Sequence, residues 1–79
     1  MKLVVTIITD SGFEKQFVHT YSPDINREDA EAACESLLNS VAIGMRENIS
    51  FNVKINDDKT GTTFINGNKL LSLSAKIRK

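Results

Sequence analysis

Glu28, Glu31 and Glu35 recur at spacings of three and four, so any helix formed there carries the three carboxylates on one face. Enclosed carboxylates in such a row can hold a metal or exchange protons. On an open helix they are solvated, or they dock on a basic partner. The expectation is a protein-binding face made by Glu28, Glu31 and Glu35. A second set is basic: Lys54, Lys69, Lys76, Arg78 and Lys79 lie on or near strands of the C-terminal half. Such a set can neutralise phosphates, which makes nucleic-acid binding the alternative. Reading of unpaired bases also needs exposed aromatic platforms, and the aromatic residues here fall at positions assigned to the core.

Other reactive side chains are isolated. His19 is the only histidine and Cys34 the only cysteine, so neither a multi-histidine metal set nor an intrachain disulfide can form. No Gly-x-Ser-x-Gly motif presents a nucleophilic serine. Cys34 stands among alanines and leucines, where a thiol packs as a small hydrophobe. Asp57-Asp58-Lys59-Thr60-Gly61 lacks the alternating ligands and distal Glu of a calcium loop and reads as a plain turn. Neither Gly61 nor Gly67 is followed by the Gly-Lys-Ser/Thr of a phosphate loop. No catalytic residue, cofactor site or metal ligand is therefore expected, and the chain reads as a non-enzymatic binding protein.

The elements that position these residues follow from periodicity. Lys2 to Thr9 is β-branched and apolar on both sides, as in an interior strand. Asp10-Ser11-Gly12 turns it into a partner running from Phe13 to Tyr21, with Phe13, Phe17 and Tyr21 on one face. Asn26 is a good N-cap of a helix, and Glu28 and Asp29 suit the positive end of its dipole, while Ser22 with Pro23 at the first helical position is a competing start about four residues earlier. Ala30, Ala33, Cys34, Leu37, Leu38 and Val41 form its apolar stripe, and Gly44 reads as its stop. Alternation then predicts a strand over residues 48–56, a shorter one from Thr62 to Ile65, and a last one from Lys69. In the last strand Leu71, Leu73, Ala75 and Ile77 face inward. Asn66-Gly67 between the last two strands predicts a tight hairpin turn with positive φ.

The order is β-β-α-β-β-β. It predicts a single α+β domain over residues 1–79: a two-layer sandwich with one helix on a mostly antiparallel sheet of four to five strands. Apolar content of 41 % and charged content of 25 % place the chain among ordinary globular proteins. Net charge is zero but uneven. Residues 1–50 hold four Lys/Arg against eight Asp/Glu, and residues 51–79 hold six against two. A core this small has little stability to spare, which favours self-association as a homodimer. The N-terminal apolar run is too short and polar for a signal peptide and no stretch reaches membrane length, so a cytoplasmic protein is expected.

Tyr21-Ser22-Pro23-Asp24-Ile25-Asn26, leading from a hairpin into an Ala-rich acidic helix, is similar to small proteins of low-GC Gram-positive bacteria and their phages over residues 1–40. The resemblance rests on no diagnostic motif and implies nothing about function; the acidic helix face and the sheet edges are what lead to the expectation of a phage or mobile-element accessory or inhibitor protein.

Overall fold

The computed structural model describes residues 1–47 and 50–79. Asn48 and Ile49, assigned above to the third strand, lie outside the described residues. The elements are β1 (Lys2–Thr9), β2 (Glu14–Thr20), α1 (Arg27–Glu47), β3 (Asn52–Asp57), β4 (Gly61–Asn66) and β5 (Leu70–Arg78), with a single 3₁₀ turn at Gly67–Lys69. The α+β class, the order of elements and the antiparallel pairing agree with the sequence.

The five strands divide between two sheets instead of forming one. β1 is central in the order β2-β1-β5, and β3 pairs with β4 alone. A strand apolar on both faces suits that central position: Val4 and Val5 are 2 % and 1 % exposed, though they point to opposite sides. Val5, Ile7 and Phe17 of the three-stranded sheet meet Val53 and Ile55 of β3, Leu70 of β5 and Val41 of α1 in one core cluster. Burial of each such side chain contributes roughly 1.5–3 kcal/mol.

Of the two starts the sequence offers, the helix takes the one capped by Asn26 and not the one at Ser22-Pro23. Asn26 Oδ1 accepts the Asp29 N–H at 2.8 Å, and its carbonyl accepts the Ala30 N–H. Ala30, Cys34 and Val41 are buried along the predicted stripe. Gly44 does not end the helix, which runs one turn further to Glu47. Its role is steric. A Cβ on Gly44 would stand 2.7 Å from the Phe51 ring, and a Cβ on Gly67 would press the same ring more closely still. Phe51 is thus wedged between a helix and a turn at positions where only glycine leaves room for it.

Asn66-Gly67 is not a hairpin turn. The chain there passes from one sheet to the other through the 3₁₀ turn, Asn66 Oδ1 accepting the Asn68 N–H at 3.0 Å and the Gly67 N–H donating to the Phe51 carbonyl at 2.8 Å. Positive φ belongs to Gly12 (84°) and Gly61 (78°), in the turns after β1 and β3. Pairing of β4 with β3 satisfied the local pattern as well as pairing with β5 would have, and the cradle for Phe51 took the Asn-Gly dipeptide. Two inward assignments also change. A register shift at Ile8/Thr9 sets Thr9 opposite Leu70, so Leu70 is buried and Leu71 is 62 % exposed. Phe13 precedes β2 and is exposed rather than packed with Phe17.

Candidate interaction surfaces

β5 leaves the longest open edge. Eight of its nine residues, all but Leu71 at the bulge, pair with β1 on one side, and no strand among the described residues pairs with the other. β4 also ends its sheet, with six residues. The opposite edge of the three-stranded sheet is closed. The Val18 N–H donates to Asp57 Oδ1 at 2.9 Å, and the Asp58 N–H donates to the Val18 carbonyl at 2.9 Å. The Thr20 N–H and hydroxyl both donate to the Asp58 carboxylate. The Asp57-Asp58 turn therefore clamps the β3–β4 hairpin onto the C-terminal half of β2 and occupies the backbone groups of Val18 and the N–H of Thr20 that a further strand would need there. The N–H donors of Val18, Thr60 and Lys59, Val18 foremost, hold Asp57 well below the usual carboxylate range, at about 2. Asp58 is also lowered, chiefly by the Thr20 hydroxyl, then by the Thr20 N–H, with a smaller part from His19, whose Nδ1 is 4.0 Å away.

Beside the open edge of β5, the acidic flank of α1 meets the strand. Arg27, Glu31, Cys34, Glu35, Leu38 and Ile77 line a cleft of about 260 Å³, apolar in its floor and charged at its rim. Of the three predicted partner-binding carboxylates, Glu31 and Glu35 line this cleft; Glu28 is exposed in the first turn and is not among its walls. Glu31 also pairs with Arg27, Nε to Oε1 at 2.8 Å, one turn apart. Both side chains are more than half exposed, so the pair contributes about 0.3–0.5 kcal/mol. The link from Glu31 and Glu35 to Ile77 was invisible in sequence, because it needs the packing of α1 against β5.

The basic residues scatter. Lys76 and Arg78 project from the exposed side of β5, and Lys79 follows them. Lys54 lies in the other sheet, opposite Phe64, and Lys69 ends the 3₁₀ turn at the far end of β5. Lys2 was missed: it sits opposite Arg78 on β1, on the face that also bears Lys76. Its signal was a pairing between the two ends of the chain. Two aromatics depart from their assignment to the core, since Phe64 is 67 % exposed and Phe13 57 %.

Cys34 is 8 % exposed, and burial, followed by the neighbouring Glu31 and Glu35, pushes its thiol up, away from the nucleophilic thiolate. His19 stacks edge-on against Tyr21, ring centroids 5.0 Å apart. A further groove of about 360 Å³ runs between α1 and β3, with Ser36, Ser40 and Lys54 in its walls. Among the described residues no three of His, Cys, Asp and Glu converge to hold a metal ion, and no helix is long and apolar enough to cross a membrane. Compared with known proteins, the chain matches no family model, no curated protein and no solved structure.

Proposed function

We propose that the protein is a non-enzymatic protein-binding module that takes an extended segment along the open edge of β5. The observation that carries this reading is the coincidence of an unpaired nine-residue edge with a cleft walled by Glu31, Glu35, Leu38 and Ile77. Strand addition supplies main-chain hydrogen bonds, and flanking pockets supply the choice of side chain. The cleft suits a segment that alternates an apolar residue with a basic one. The apolar side chain rests on Leu38 and Ile77, and the cation meets Glu31 and Glu35 at the rim. An accessory or inhibitor role in a bacterium or phage is compatible with such a surface. A labelled peptide of alternating Leu and Lys tests the reading. Reversal of both rim charges (Glu31→Arg with Glu35→Arg) is expected to weaken binding roughly tenfold or more. Equal binding by wild type and variant would sink it.

A second reading, nucleic-acid binding, is favoured by the alignment of Lys2 with Arg78 beside Lys76. Mobility shift at low and moderate salt decides it: salt-sensitive binding lost in Lys76→Ala/Arg78→Ala supports phosphate contact, and no shift at low salt removes it.

A further inference from the structure

We infer that the segment which occupies the edge of β5 is the β5 strand of a second copy of this chain, paired antiparallel about a two-fold axis through Ser74. The inference rests on the reading of that edge as the binding site. A symmetric antiparallel pair keeps inward residues opposite inward ones only if the axis passes through a residue, not between two. With Ser74 on the axis, Leu73 of one copy faces Ala75 of the other, Ser72 faces Lys76, and Leu71, at the bulge, comes level with Ile77. No other register sets Leu71, 62 % exposed in the single chain, against Ile77 and the apolar floor of the cleft. An axis at Ala75 would bring Leu71 against Lys79, and an axis at Lys76 would oppose two ammonium groups. The Ser74 register opposes no like charges across the strand from Leu71 to Ile77; just beyond the strand ends it sets Lys69 of one copy level with Lys79 of the other, at the end of the edge where Glu31 and Glu35 flank Ile77.

The clamp on β2 limits growth of the joined sheet beyond two copies. Joining two β2-β1-β5 sheets through β5 gives six strands whose outer edges are both capped at Val18 and Thr20 by the Asp57-Asp58 turns. A two-fold pairing uses the same edge on both copies, so it closes as a dimer and leaves no β5 edge for a third.

Disulfide trapping tests the register in a Cys34→Ala background. Ser74→Cys is expected to cross-link with itself under mild oxidant in roughly tenfold excess over Ser72→Cys, because closure needs Cβ atoms about 3.5–4.5 Å apart. In the otherwise wild-type chain, Ser74→Glu sets two carboxylates across the axis and should convert the dimer to a monomer, read by light scattering, with an unchanged far-UV circular dichroism spectrum. A monomeric wild type, or a dimer in which Ser74→Cys gains nothing over Ser72→Cys and Ser74→Glu leaves the mass unchanged, overturns the inference. The alternating Leu/Lys peptide separates the two levels. If a monomer binds it and loses it on Glu31→Arg/Glu35→Arg, the second copy is wrong and the edge is right. If a monomer ignores it, both fall.

Discussion

Phe51 carries more than its half-buried position suggests, since its ring occupies space that a side chain at Gly44 or Gly67 would take. Gly67→Ala is expected to destabilise the fold by about 1–3 kcal/mol in urea denaturation, the usual cost of overpacking. The loss should shrink in a Phe51→Leu background, where the ring that meets the new Cβ is gone; an undiminished loss would place the strain elsewhere. Asp57 is the other residue with an outsized role. Its carboxylate accepts from three backbone N–H groups, and its pKa of about 2 lies below the ordinary value near 3.9. A depressed acid contributes stability that is present above its unfolded pKa and is lost as pH falls through the folded one. Stability should therefore decline between about pH 4 and pH 2. Asp57→Asn should lower stability at neutral pH and flatten that decline, as measured by denaturation midpoints across the acid range. An unchanged slope would show that the clamp does not depend on this charge.

At the scale of elements, β5 separates what alternation predicts from what pairing imposes. Leu73 packs against the core and Ser74 is exposed, as the period of two requires. Leu73→Asp should cost about 3–4 kcal/mol, much of the stability of a chain held at roughly 0.05–0.15 kcal/mol per residue. Ser74→Asp should leave the single chain folded. Equal thermal shifts in the two variants would mean the strand faces the other way. Leu71→Asp distinguishes the bulge from simple alternation: with Leu71 exposed it should leave the fold standing, whereas continued alternation would make it as damaging as Leu73→Asp. The helix was more legible than any strand. Its cap at Asn26 and its buried Ala30, Cys34 and Val41 follow from contacts three and four residues apart. Gly44 misled because a glycine that ends a helix and a glycine that admits a ring have the same sequence signature.

For the whole molecule, the paired turn and strand at Asp57-Asp58 and β2 clamp one edge of the three-stranded sheet and leave its other edge open, and that asymmetry is the basis of the proposed function. Removing the clamp should expose the second edge. Asp58→Ala, which loses the Thr20 contacts, is expected to promote higher-order association in light scattering; a variant that keeps the wild-type mass would show that backbone pairing at Val18 closes the edge unaided. The sequence by itself determined the kinds of element, their order, the start of the helix and the alternating faces of β3. Each of these rests on backbone preference and side-chain spacing within a few residues. Only the tertiary structure decided that β1 pairs with β5 as well as with its hairpin partner β2, that Leu70 replaces Leu71 in the core, and that Glu31 and Glu35 stand beside Ile77. Those outcomes join residues far apart along the chain, 38 and 39 positions for the bonds of the Asp57-Asp58 clamp. Several strand pairings satisfy the same local pattern, and the choice among them lies in shared burial around Phe17, Val5 and Phe51.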